Sequence, residues 1–152
     1  MSTYTADDIT VTPANSKTHP LDNPGWYSLL GKHSDIAIRG SIATRYPPEY
    51  HVIVATPDDS EEFFQDLARI VKKGEVIGLI AMRPKPENPD WKILRESSVI
   101  QMIGEKRLPV KDIDTVELTV DNIPEMLELV LITQPGPFAE RTVELGRFIG
   151  IR

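Results

Sequence analysis

Three histidines, at positions 19, 33 and 51, are the side chains most able to move a proton near neutral pH or to ligate a metal. None has a second histidine or a carboxylate three or four residues away, the spacing that sets two ligands on one helix face, so packing or surface roles are the better reading of all three. The acidic run Asp58, Asp59, Glu61, Glu62 could hold a cation. Its position ahead of an apolar helical pattern favours capping and compensation of the helix dipole instead. Glu125 and Glu128 share a helix face and could serve as a base toward an amine, but they lie opposite the apolar stripe and read as solvated. With no cysteine there is no thiolate nucleophile, no disulfide and no thiolate zinc site. Neither a G-x-S-x-G elbow nor a G-x-x-x-x-G-K-[ST] loop is present, so neither that hydrolase chemistry nor that nucleotide cradle is indicated, and no metal site is expected.

The elements that must position these groups are legible in part. In 152 residues, 17 Lys+Arg against 23 Asp+Glu give a net charge of -6, and the length suits one core. An acidic balance, with only the short pairs Lys72-Lys73 and Lys106-Arg107, argues against binding nucleic acid through phosphate. No apolar run approaches the roughly 20 residues of a membrane span, and the polar start MSTYTADDIT does not read as a secretory signal, so the expected location is cytoplasmic. Residues 1–20 read as a loose tail. Asn23 and Pro24 open a short helix with Trp26, Leu29 and Leu30 inward and Gly31 at its end. Alternation over 35–46 predicts strand structure with Ile36, Ile38, Ile42 and Ala43 inward and Gly40 at a turn, and 51–55 is a β-branched strand. Asp59 and Glu62 have capping-box spacing before a helix carrying Phe63, Phe64, Leu67, Ile70 and Val71, closed by Lys72, Lys73 and Gly74. The run 76–82 reads as a strand covered on both faces, and 99–103 as another, with Trp91, Ile93 and Leu94 anchoring the chain between them.

Residues 104–114 read as a linker between a first α/β module, 21–103, and a final segment, 115–152. That segment opens with a strand at 115–120. A helix follows with Ile123, Met126, Leu127, Val130 and Leu131 on one face, and the turn T-Q-P-G-P-F breaks it. A second helix is predicted over about 137–149, with Phe138, Thr142, Leu145 and Ile149 aligned and Gly150 terminating it. Helices alternating with strands make the fold α/β or α+β, a mixed sheet with flanking helices.

The strings D-N-I-P-E-M-L-E-L-V and T-Q-P-G-P-F-A-E-R-T-V-E-L-G-R-F-I-G-I-R resemble the start of the catalytic core of the GNAT superfamily of N-acetyltransferases. N-P-G-W-Y-S-L-L-G-K-H, A-T-R-Y-P-P-E-Y and V-I-Q-M-I resemble the amino-terminal portion of the subset in which a degenerate GNAT-like half precedes the catalytic half. The resemblance covers about 21–152. It implies a partial GNAT-like fold, acetyl-CoA as the family's donor, an amine as acceptor, and an acceptor-side wall formed by Thr133, Gln134, Pro135, Gly136, Pro137 and Phe138. The alternative for those six is a plain turn between helices. The family's pyrophosphate motif, R/Q-x-x-G-x-G/A, is missing. Gln101 to Gly104 continues with Glu105-Lys106, and Arg147 to Gly150 is expected to end a helix, so no cofactor-binding residue is assigned. The expectation is a truncated acyltransferase half, inactive alone, whose helices pair with a complementing half or with another copy. The competing expectation is an interaction or dimerisation module with no catalysis.

Overall fold

A computed structural model describes residues 19–57, 60–80, 88–100 and 113–151. Residues 1–18 of the expected tail, Asp58-Asp59, the strand positions 101–103 and most of the expected linker lie outside the described residues, while the last two tail positions, His19 and Pro20, open a 3-10 turn. Two sheets are present, one of four strands and one of two.

Helix α1 (Pro24–Leu30) begins as its local sequence demands: Asn23 accepts from the Trp26 amide, Pro24 occupies the first turn, and Gly31 caps the end. It lies on β3 (Ile53–Ala55) so closely that a Cβ on Gly25 would come within 3.1 Å of Ile53. Leu29 is fully buried, whereas Leu30, expected inward, is 42% exposed, because a seven-residue helix has room for one buried stripe. Strands β1 (Ile38–Arg39) and β2 (Thr44–Arg45) form an antiparallel hairpin that pairs on to β3. Gly40 lies in its turn as expected. Ala43 is buried, Ile36 and Ile42 are half-buried, and Ile38 faces out.

Helix α2 (Glu62–Ile70) then carries the chain over to β4 (Gly78–Leu79), which pairs parallel with β3. Phe63 and Leu67 are fully buried beneath it with Val54 and Ala43. Its ends differ from expectation. Glu62 is the first helical residue instead of the third, and the helix stops at Ile70 with Val71 extended, leaving Lys72, Lys73 and Gly74 to form a separate turn. Gly74 takes a φ of +85°, which favours glycine. The strand order β1-β2-β3-β4 puts β4 on the sheet edge. Val76 and Ile80 are therefore 60% and 38% exposed, not covered on both faces. Residues 91–100 have no regular structure, so the strand expected from 99 does not start there, and Ile93, Leu94, Val99 and Ile100 are exposed.

The second sheet corrects the largest expectation. Strand β5 (Val116–Leu118) leads through a 3-10 turn into α3 (Ile123–Thr133), as the proline and periodicity predict. There is no second helix over 137–149. The chain makes a 3-10 turn, Thr142–Leu145, and enters β6 (Phe148–Gly150), which pairs antiparallel with β5. Gly150 is thus a strand residue, close to Leu118, and not a helix terminator. The helical three- and four-residue spacing of Phe138, Thr142, Leu145 and Ile149 was outweighed by the ladder bonds that β5 supplies.

Candidate functional site

Buried polar anchors fix the frame first. The Asp66 carboxylate on α2 accepts the amides of Ile42 and Ala43 at 2.6 and 2.8 Å, tying helix to hairpin. These backbone donors hold its carboxyl below the usual carboxylate range. A Cβ on Gly40 would overlap that carboxylate, so glycine is needed there for space. Arg45, with its side chain 3% exposed, makes a two-pronged pair with Glu75 and also donates to the Ile70 and Tyr46 carbonyls. The Arg45 hydrogen bonds keep the Glu75 carboxyl low.

A second set of anchors docks the final segment on the first sheet. The ring of His33 bridges the Tyr46 hydroxyl at 2.7 Å and the Leu145 carbonyl at 2.8 Å. Thr142 donates its hydroxyl to the Tyr50 carbonyl at 2.6 Å and accepts the Ala139 amide at 2.8 Å, while the Arg141 amide donates to the Glu49 carbonyl. The Arg141 guanidinium stands 4.2 Å over the Tyr50 ring and grips Glu144 with two 2.7 Å bonds. Burial pushes the Tyr50 phenol up, so it stays protonated and donates to Glu144, whose carboxyl the Arg141 bonds hold down. All three are satisfied by one another and serve as fasteners. His51 accepts the Ile53 amide and is lowered by burial, and His19 caps the opening 3-10 turn. All three histidine rings are thus engaged by neighbouring groups. Among the described residues no group of three His, Asp or Glu is arranged to hold a metal ion, and no helix is long and apolar enough to cross a membrane.

These fasteners lie just after the turn that was expected to wall the acceptor. Thr133 is the last residue of α3 and donates its hydroxyl to Leu129. Gln134 adopts a left-handed conformation, φ 48°, and its side chain donates to the Leu131 carbonyl. Gly136 has a φ of 145° with open space where a Cβ would stand. Phe138 is half-buried, edge-on to Phe148 with ring centroids 5.9 Å apart. The turn therefore joins α3 to a 3-10 turn and a strand, and does not form the bend between two helices that the sequence suggested. Residues 133–137 are all exposed. Glu125 is exposed and accepts the Asn122 side-chain amide at 2.8 Å, and Glu128 is exposed as well.

Sequence reasoning had overlooked Arg45, Glu75, Asp66 and the Tyr50–Arg141–Glu144 group. Only the three-residue spacing of Arg141 and Glu144 could have signalled any of them.

No protein-family model matches the chain, and no curated protein matches it. A crystal structure named as an acetyltransferase of the GNAT family from Novosphingobium aromaticivorans superposes with a TM-score of 0.72 at 29% identity, over 89% of this chain. The chain has a GNAT-type fold. It spans 60% of that neighbour's length. GNAT enzymes seat the pyrophosphate of acetyl-CoA on backbone amides at a helix start. Among the described residues, α2 opens with Glu61 and Glu62, and α3 has Asp121 and Glu125 at its start; both repel such a group. The Arg147 to Gly150 string runs into β6, where its amides serve a ladder. These two helix starts do not suit the cofactor's phosphates.

Proposed function

We propose that this chain supplies the acceptor-side half of a GNAT-type N-acyltransferase, whose family reaction moves acetyl from acetyl-CoA to an amine, and that it is inactive alone. The observation that supports the acyltransferase reading is the superposition on the GNAT-family neighbour, at 29% identity over 89% of this chain. Thr133 to Phe138 would line the acceptor side. Pro135 and Pro137 bring carbonyls without amide hydrogens, so the exposed turn is richer in acceptors than donors, which suits a protonated amine. The Arg141, Thr142 and His33 contacts would hold this turn in place. On this reading 21–103 and 115–152 act as two modules in a cytoplasmic protein, and acetyl-CoA binds mainly through a complementing half.

The test is acetyl-CoA turnover and melting temperature, with millimolar acetyl-CoA, for the chain alone and with a polypeptide spanning the part of the Novosphingobium protein that this chain does not match. Alone, neither turnover nor a melting shift is expected. Together, CoA release that depends on an added primary amine is expected. Turnover by the chain alone would overturn the inactive half, and a mixture that neither associates nor turns over would overturn the acyltransferase reading.

A second reading, a non-catalytic interaction module, is favoured by one observation: Leu129, Leu131 and Ile132 on α3 are 60%, 73% and 74% exposed. A melting point that rises with protein concentration in the absence of cofactor would support it.

A further inference from the structure

A groove of about 580 Å3 lies between the end of α2 and the segment around Trp91. That volume is in the range of small-molecule sites. Its floor is built and not incidental. Asn88 accepts the Asp90 amide on its side chain and the Trp91 amide on its carbonyl, and this turn presses the indole against Phe64, with ring centroids 6.3 Å apart. Val71 and Val76, on either side of the Lys72–Glu75 turn that returns the chain toward β4, also line the groove.

The charge of the rim differs from that of the rest of the molecule. Lys72, Lys73 and Lys92 all line the groove. Glu75 also borders it, but its carboxylate is committed to Arg45, leaving Asp90 as the remaining acid there among the described residues. In a chain of net charge -6, this is a local excess of cations around apolar surface. Lys72 and Lys73 follow a helix end and would be welcome there for the dipole alone. Lys92 serves no helix end, since 91–100 is irregular, so the dipole does not account for all three lysines.

We infer that this groove binds a small amphipathic anion, an acyl or aryl body lying against Trp91, Val71 and Val76 with a carboxylate or phosphate between Lys73 and Lys92. The inference is independent of acyl transfer and uses no residue of the turn at 133–138.

Calorimetric titration of the full chain with octanoate, 1-octanol and octylammonium tests it. Saturable 1:1 binding of octanoate is expected, with octanol at least tenfold weaker and octylammonium giving no heat of binding. Lys73→Gln with Lys92→Gln should weaken octanoate at least tenfold while leaving the melting temperature in place, since both lysines are exposed. Octanol binding as tightly as octanoate, no saturable octanoate binding, or undiminished affinity in the double variant would each overturn the assignment. If the double variant does not fold, added salt decides on the unaltered chain. Octanoate binding that weakens with salt supports the lysine rim, and salt-independent binding sinks it.

Discussion

The two sheets bury their apolar residues very differently. Around the four-stranded sheet, Leu29, Val54, Phe63 and Leu67 are fully buried, and charged groups on the inside are paired or held by backbone amides. Around the two-stranded sheet, Met126 and Val143 are the buried hydrophobic residues, while Leu129, Leu131, Ile132 and Ile149 stand in solvent. The difference teaches what the second region depends on. The second region buries few apolar residues of its own, and polar fasteners tie it to the first.

The comparison can be broken hardest at Phe63. Phe63→Ala should cost about 3–5 kcal/mol, by cavity formation in the better-packed region. Trp26 and Trp91 both pack in that region, so tryptophan fluorescence during urea unfolding reports its loss. A cost under about 1 kcal/mol would mean the first core is as loose as the second.

Next comes Glu75→Ala, which leaves the buried Arg45 without its carboxylate and should cost about 2–3 kcal/mol. Equal denaturation midpoints for the two proteins would show the pair to be incidental.

Acidification should loosen both regions, since the Glu144 carboxyl that fastens the second is lowered as well. Asp66 and Glu75 have carboxyl groups lower in the folded than in the unfolded protein. Their contribution is therefore fully present above the ordinary carboxylate pKa, about 4, and is lost as pH falls through the lowered folded values. The melting temperature should drop below about pH 4, and Asp66→Asn should flatten that drop while lowering stability at pH 7 by about 1–3 kcal/mol. An unchanged slope in the variant would sink the assignment to Asp66.

The smallest effects belong to α3. Ile132→Lys, at a solvent-facing position, should change stability by no more than about 0.5 kcal/mol, yet remove any dependence of melting on protein concentration. A large loss of stability would show that this face is covered within the single chain. Gln134→Gly, which relieves the left-handed φ, should stabilise by about 0.5–1 kcal/mol, and a destabilisation would mean that the Gln134 side-chain bond to Leu131 outweighs the strain.

Where one residue's chemistry acts on its immediate neighbours, the sequence was sufficient to place structure. Asn23, Pro24 and Gly31 bound α1 because capping and a fixed φ are local effects, and Pro124 with the apolar period locates α3 for the same reason. The turn at 133–138 was legible from its two prolines and glycine. What the sequence did not carry was partnership across distance. The spacing of Phe138, Thr142, Leu145 and Ile149 suits a helix, but β5, some thirty residues earlier, offers a ladder that makes 148–150 a strand. The run 76–82 is apolar enough for a central strand, and only the strand order shows it at an edge. Asp66 with the hairpin amides and Arg45 with Glu75 join residues more than twenty apart, and no local pattern marks them. By itself the sequence determined the starts of α1 and α3, the turns, the net charge and a recognisable GNAT-like pattern. Tertiary structure alone decided which strands pair, which apolar faces are covered and which charges are buried, because hydrogen-bond partners and burial are properties of what folds against a segment, not of the segment.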